Sequence, residues 1–376
     1  MLYSPYGRTG KLVSRVGFGG MRLDLSRSPD ENAELLHYAF ACGINYFDTA
    51  PDYCENQGEE IFGRAFRTMR GNFFVATKGM PTDNDTADKS RRAVETSLRR
   101  LGISKIHFYH VWCLRNMSHY ELAMRKGGQY EGLLRCREEG LIDHIVFSSH
   151  QPGHEIKRIV QEGRMEGVLL GLNILNFPYR WDGLVAAHAA GVGVAVMNPL
   201  GGGVIPRHAV QLGFLGKNGE TPTEAALRFN FSLPQVTVTL VGFARREEID
   251  FACRLVNAAQ PFSAGEIAAV RSRLSVSMNR LCTGCGYCAG CPERIPIPGY
   301  MLFYNEKVAF GASDEQMRAK LKDEYEWGLV VGHEGAAARC TECGWCEDKC
   351  TQHLDIRKRL NEIRQWEQDI VSGRSS

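Results

Sequence analysis

The chain has 376 residues, 44% of them hydrophobic, and sets 45 Lys and Arg against 43 Asp and Glu for a formal net charge of +2. This is apolar content for a large core in more than one ordinary domain, and the balanced charge gives no electrostatic basis for partnership with nucleic acid or a membrane surface. The opening MLYSPYGRTGK lacks the apolar run of a signal peptide, and stretches such as 184–197 are too short to span a bilayer, so a cytoplasmic location is expected, where thiols stay reduced.

Taken in chain order, short β-rich runs recur at Arg15–Gly20, Asn45–Thr49, Asn72–Lys78, Ile106–Trp112, His144–Ser149, Val168–Ile174, Val192–Met197 and Val236–Val241. Segments of helical periodicity lie between most of them: Glu31–Cys42, Glu59–Met69, Asp88–Arg100, Gly128–Glu139, His154–Glu162 and Thr223–Phe231. Eight such alternations over about 250 residues predict the α/β class and a (β/α)8 TIM barrel across residues 1–276, although counting strands leaves a doubly wound open sheet as an alternative. In a barrel the chemistry belongs at the C-terminal ends of the strands. Polar residues stand at those ends: Asp48 closes the second run, Tyr53 follows in the next loop, and Lys78 closes the third.

Downstream, eight of the thirteen cysteines fall in two runs, Cys282-x2-Cys285-x2-Cys288-x2-Cys291 and Cys340-x2-Cys343-x2-Cys346-x3-Cys350. Three cysteines at i, i+3 and i+6 on a Gly-bearing loop can close on one face of an iron–sulfur cube, while the fourth reaches the other cube. The spacing therefore predicts two [4Fe–4S] clusters, one on Cys282, Cys285, Cys288 and Cys350, the other on Cys340, Cys343, Cys346 and Cys291. Zinc sites usually draw their cysteines in pairs, and a disulfide set belongs to small secreted chains. The first run has x2 before its last cysteine where x3 is commoner, which affects how Cys291 reaches across but removes no ligand. Residues 277–376 thus read as a mainly helical, ferredoxin-like domain, with helices over Ser313–Trp327 and Leu354–Ile370. Cys42, Cys54, Cys113, Cys136 and Cys253 are expected to be free thiols.

The barrel part resembles the aldo-keto reductase superfamily over roughly residues 1–275, through FDTAPDY at 47–53, GEEIFGRAF at 58–66, VATKG at 75–79, TPTEAALR at 221–228 and LVG at 240–242. With the cysteine runs it is similar to the subgroup whose barrel carries a ferredoxin-like extension. The resemblance implies hydride exchange between a nicotinamide and a carbonyl or alcohol, with Tyr53 as proton donor, Lys78 lowering its pKa and Asp48 keeping Lys78 charged. The family's histidine at the end of the next strand aligns with Trp112, and His110 lies two residues earlier on the same strand face, about 6.5–7 Å deeper. Either His110 reaches the site through a bulge, or Trp112 offers its indole N–H, or the reaction differs, as in alkene reduction; a barrel-core histidine beside a packing tryptophan is the plain alternative.

The same resemblance implies nicotinamide contacts from Ser148, Ser149 and His150, and ring packing by Met197 where the family usually has an aromatic; the family's glutamine is absent from 168–173. The loop of Pro199, Leu200 and Gly201 would approach a pyrophosphate. Gly242 leads to Arg245 and Arg246 at a helix N-terminus, where a 2′-phosphate, and so NADP(H), would bind. Clusters move single electrons whereas hydride transfer moves two, so an external ferredoxin or flavoprotein is a candidate partner beside the small-molecule substrate. The rival reading is an electron-relay or redox-sensing scaffold whose barrel has lost reductase turnover.

Overall fold

The protein is described here as a computed structural model covering residues 1–217, 219–258, 260–276, 282, 288–327, 335–350 and 354–372. A short antiparallel hairpin, β1 (Tyr3–Pro5) and β2 (Leu12–Ser14), precedes eight parallel strands. These are β3 (Val16–Gly19), β4 (Tyr46–Asp48), β5 (Phe74–Gly79), β6 (Ile106–Leu114), β7 (Ile142–Ser149), β8 (Gly167–Gly171), β9 (Gly193–Met197) and β10 (Val238–Val241). They close in sequence order, with β10 pairing β3, so the predicted barrel is the observed one and the open sheet is excluded.

Local chemistry explains why the helices sit where they do. Ser28 and Thr221 each open a helix with proline next and a glutamate at the third position, and both form reciprocal capping boxes through Glu31 and Glu224. Gly102 ends the helix Ala87–Leu101 in the left-handed conformation that glycine adopts most easily. The helix Phe177–Ala189 has no counterpart among the periodic segments of the sequence. Apolar and polar residues are mixed around it, so it lacks a clean stripe.

The hairpin plugs the barrel's N-terminal end. Tyr6 is fully buried, stacked on Tyr46 and tilted against Phe108 at ring centroid distances of 5.8 and 4.4 Å. A Cβ on Gly193 would lie 2.2 Å from the Tyr6 ring, so the phenol fits only because β9 begins with glycine. Above it Phe74, Ala76, Val146, Leu169, Ala195 and Val238 fill an apolar layer, the packed interior that the fold requires.

Beyond the barrel, the helices Ile297–Phe310, Asp314–Trp327 and Ile356–Val371 surround a second core built on Tyr300, Met317, Leu321, Leu360, Ile363 and Trp366. The helices predicted over 313–327 and 354–370 are both present. Buried Cys288 and Cys346 belong to this core. Among the described residues no helix is long and apolar enough to cross a membrane.

Candidate active site and cluster ligands

Along a strand, side chains return to the same face every second residue. Two residues above the apolar layer the inward positions become polar: Asp48 after Tyr46, Lys78 after Ala76, His110 after Phe108, Ser148 after Val146. All four are buried, at 2% exposure or less. Lys78 Nζ donates to Asp48 Oδ1 at 2.6 Å and to the Thr49 carbonyl at 2.8 Å. Burial pushes both groups toward their neutral forms, Asp48 up and Lys78 down, and their mutual attraction opposes this. A contact this short, with a second acceptor on the ammonium, holds the charged pair together.

Tyr53 begins a tight turn at the mouth in which Cys54, Glu55 and Asn56 all take left-handed backbone angles, φ 55°, 54° and 66°. Three consecutive non-glycine residues in that region store strain, which is characteristic of functional sites. The turn lays the Tyr53 ring 5.2 Å from Lys78 Nζ. The expected depression of its pKa is not what the resting site produces. Burial, followed by the Asp48 carboxylate, pushes the phenol well above its ordinary value. The ring is buried beside the Asp48 carboxylate, whose charge opposes ionisation, while the Lys78 ammonium points to Asp48 and Thr49. Cys54 donates to the Gly20 carbonyl at 3.2 Å and is a buried thiol with a raised pKa.

His110 and Trp112 occupy different levels. His110 is fully buried, paired in register with Lys78, with Nε2 3.7 Å from Asp48 Oδ2. Burial and the Lys78 charge hold its pKa well below normal, so it is neutral, while the Phe147 backbone draws near without a full hydrogen bond. A β-bulge does exist, between Val111 and Leu114, with Cys113 at φ 56°, but it lies after His110 and leaves that histidine deep. What it re-aims is Trp112, which meets Tyr53 edge-on at 5.9 Å and 82°. The bulge is pinned by the Cys113 N–H, which donates to Ser148 Oγ at 2.8 Å.

The strand-end residues expected to meet a cofactor are partly committed to the barrel's own structure. Ser149 Oγ is engaged with the Leu114 carbonyl at 3.3 Å and Gln151 Oε1 at 3.0 Å. The His150 carbonyl accepts from Arg180 Nη2 at 2.7 Å, and burial together with Arg180 pushes the His150 ring down to about 3. Arg180, 4% exposed and also donating to the Gly171 carbonyl at 2.8 Å, was not legible as a site residue, because nothing local marks an arginine in FPYRW as buried. Met197 is half-buried over the interior layer. After it Asn198, Gly201, Gly202 and Gly203 all have left-handed angles; Pro199 is buried and Leu200 packs on the core. Asn173 Nδ2 ties this loop down through the Asn198 carbonyl at 3.2 Å.

On the far side, a Cβ at Gly242 would come within 2.9 Å of Arg22 Cβ. The amides of Ala244 and Arg245 already donate to Glu248 Oε2 at 2.8 and 3.3 Å, and the Arg245 guanidinium pairs with the same carboxylate at 3.2 Å. Arg246 instead lies over the Tyr38 ring at 4.9 Å. The two arginines go to different partners: Arg245 pairs with Glu248, and Arg246 is held by its contact with the Tyr38 ring.

The cysteines sort into two groups. Cys291, Cys340, Cys343 and Cys346 line one small pocket, and the Cys346 thiol feels the charge of both Cys340 and Cys291. Cys282 and Cys350 both act on the buried Arg359 guanidinium, and Cys282 N–H donates to Asn305 Oδ1 at 2.7 Å. Cys291 thus lies beside the second run, and Cys282 shares its influence on Arg359 with Cys350. Cys285 lies outside the described residues. Among those residues no three side chains converge on a single metal ion; thiolates spread around a cavity suit a multi-atom cluster instead.

A parallel barrel with a buried lysine–carboxylate pair under a mouth tyrosine is an oxidoreductase scaffold with its polar layer at the customary end. The aldo/keto reductase family model matches residues 15–274, and a 4Fe-4S dicluster domain matches residues 281–355. The chain belongs to the aldo/keto reductase family, with an iron–sulfur domain at its C-terminal side. L-Galactose dehydrogenase from Arabidopsis thaliana is 33% identical over 113 residues, 28% of this chain and 35% of that protein. An uncharacterized oxidoreductase from Bacillus subtilis is 27% identical over 236 residues, 56% of this chain and 70% of the other. Among solved structures, an aldo-keto reductase from Bacillus halodurans superposes with a TM-score of 0.62 at 22% identity, covering 72% of this chain and 96% of that one, a likeness of fold.

Proposed function

We propose that this enzyme interconverts a carbonyl and an alcohol with NADP(H), Tyr53 exchanging the proton. The observation that carries the reading is the Lys78 ammonium, fixed by Asp48 at 2.6 Å and lying 5.2 Å from the Tyr53 ring at the strand ends. A bound reduced nicotinamide would supply hydride to the carbonyl carbon. Tyr53 then gives its proton to the substrate oxygen as negative charge builds there. With the site closed and water excluded, Lys78 stabilises the phenolate left behind, and Asp48 keeps Lys78 protonated. His110, neutral and beneath Asp48, acts on the pair and not on substrate, while Trp112 presents its indole to the cleft beside Tyr53.

The residues present fit a nicotinamide unevenly. Met197 and the 199–203 loop stand at the C-terminal end of the strand Gly193–Met197, Ser148 holds the Cys113 amide at the end of β7, and Arg245 would contact a 2′-phosphate once released from Glu248. Ser149 and His150 contribute by holding the end of β7. Support for a carbonyl or alcohol substrate comes from family membership and from the partial likeness to a sugar dehydrogenase. We place the division between barrel and iron–sulfur domain at residues 276 and 277. Cys343 is exposed, and an external ferredoxin or flavoprotein would exchange electrons near it.

The test is anaerobic titration of cluster-loaded protein with NADPH, followed by a panel of sugars, ketones and enones. Saturable binding with carbonyl-dependent oxidation of NADPH is expected. Reduction of the clusters without any carbonyl turnover would instead favour a relay or redox-sensing scaffold, the reading to which the raised Tyr53 pKa and the Trp112 replacement lend support.

A further inference from the structure

Beside the polar layer the protein carries a cleft of about 330 Å³, formed by the ends of β5 and β6, the loops after β4 and β5, and the outer helix Ala87–Leu101. Small-molecule sites run to roughly 300–1,000 Å³. Lys78, Gly79 and Trp112 are buried residues of its lining, and Tyr53 does not line it. Trp112 belongs with Ala50 and Cys113 to a small group on which Tyr53 packs, as does Trp327 from the iron–sulfur domain. The helix presents Lys89, Arg92 and Arg100 to the cleft, with the shorter Ala93, Thr96 and Ser97 between them on the same face. Long cations set around short side chains leave room for a ligand to reach the guanidinium groups. Lys89 is paired with Asp85 at 2.7 Å and Arg100 with buried Glu59 at 3.5 Å, whereas exposed Arg92 makes no ion pair or side-chain hydrogen bond among the described residues. The strand-end loops add Asp52, Asp83 and Asn84, the last fixed by Nδ2 on the Met80 carbonyl at 2.9 Å. Burial, then the Asp83 charge, pushes the Asp52 carboxyl above its ordinary value, with Arg100 opposing.

We propose that this cleft is a second small-molecule site, which takes a hydroxylated carboxylic acid: Arg92 holds its carboxylate, and its hydroxyls donate to Asp52, Asp83 and Asn84. A guanidinium presents a planar fork that matches a carboxylate through two parallel hydrogen bonds, and Arg92 has that fork uncommitted. Ionised carboxyl groups only accept hydrogen bonds, so Asp52 and Asp83 call for donors, which the hydroxyls of a polyol supply. The same two carboxylates repel a polyanion such as an oligonucleotide or a polyphosphate. An apolar ligand would strip water from charged groups and give nothing in return. The assignment goes beyond the proton transfer proposed for Tyr53 and does not need it, since it is read from binding. A ligand in the cleft would rest on Lys78, Gly79 and Trp112, against the wall of the proposed active site.

The experiment is titration calorimetry of the full cluster-loaded chain with D-gluconate, with sorbitol as the neutral polyol and inorganic phosphate as an anion that lacks the hydroxylated chain. The variants are Arg92→Gln, Arg92→Lys and Ala93→Leu, the last of which fills the cleft without changing its charge. All three introduce good helix formers, and melting temperature and cluster absorbance establish that each is folded. Wild-type protein is expected to bind D-gluconate saturably, with sorbitol and phosphate at least about tenfold weaker. Gluconate affinity should fall about tenfold in the glutamine and leucine variants and by less in the lysine variant, which keeps the charge and loses the fork. NADPH affinity should stay within about twofold in all three. Absence of saturable gluconate binding, or unchanged gluconate affinity in either the glutamine or the leucine variant, overturns the proposal. Phosphate binding as tight as gluconate overturns the ligand class, and a parallel loss of NADPH affinity makes the cleft part of the cofactor site and overturns a second one. Gluconate binding as expected in a protein that turns over no carbonyl leaves the cleft assigned and removes the reductase reading instead.

Discussion

The two halves of the molecule hold themselves together by different means. The barrel buries a continuous apolar core around and within its eight strands, and its polar layer of Asp48, Lys78, His110 and Ser148 rests on Tyr46, Phe108 and Val146 without contributing to that packing. In the C-terminal domain Cys288 and Cys346 are part of the core, and Cys282, Cys291, Cys340 and Cys350 pack against it. The barrel is thus a scaffold that carries a site, whereas the smaller domain is a site that carries its scaffold. In such a domain ligand binding and folding are one free energy.

That contrast is broken most directly by removing a ligand. Cys346→Ala should lower iron content by about half or more, since under the proposed exchange of ligands each run would serve both clusters, and should expose the C-terminal domain to protease while barrel circular dichroism persists. Simultaneous loss of both halves would show that the barrel depends on its neighbour after all. Within the barrel, Tyr53→Phe is expected to lower kcat by about 10²- to 10⁴-fold with little change in melting temperature, measured as carbonyl-dependent NADPH oxidation. Retained turnover would move the proton donor elsewhere, with Trp112 the first residue to examine.

Acid should weaken the barrel through His107. Its Nδ1 accepts from the Val75 N–H at 3.0 Å, and burial, the largest influence, pulls its pKa from 6.5 to about 4. The unfolded chain therefore binds the extra proton between those values, and stability is lost as pH falls from 6.5 toward 4. The loss is on the order of 2 kcal/mol by pH 4.5. Denaturant unfolding followed at pH 7 and pH 4.5 should show this slope flattened in a His107→Asn variant. The smallest effect is expected at the rim, where Glu248→Gln removes the carboxylate competing for Arg245. A two- to fivefold gain in NADP(H) affinity, with little change for NAD(H), is the expected calorimetric result, about 0.4–1 kcal/mol.

Much of the fold was legible because hydrophobic periodicity is local. All eight barrel strands lie on runs that alternate with helical segments, and the cysteine spacing marks the cluster domain by itself. The site was legible in part: strand ends marked Asp48 and Lys78, and a motif marked Tyr53. The direction of the Tyr53 shift was not, since it depends on how deeply the fold buries the ring and on its placement beside Asp48. Arg180 and Trp327 were missed for a related reason. One is a buried cation and the other a helix end, and neither carries a local signal of what it touches.

The order of strands and helices, the spacing of the cysteine runs and the chemistry available at each strand end were therefore set by sequence, because propensity, period and ligand spacing act over a few residues. Tertiary structure alone decided that a bulge at Cys113 presents Trp112 and leaves His110 below, that Glu248 occupies the position facing Arg245, and that the iron–sulfur domain lends a tryptophan to the barrel mouth. Each of these depends on groups brought together from distant parts of the chain, where burial and charge set the outcome.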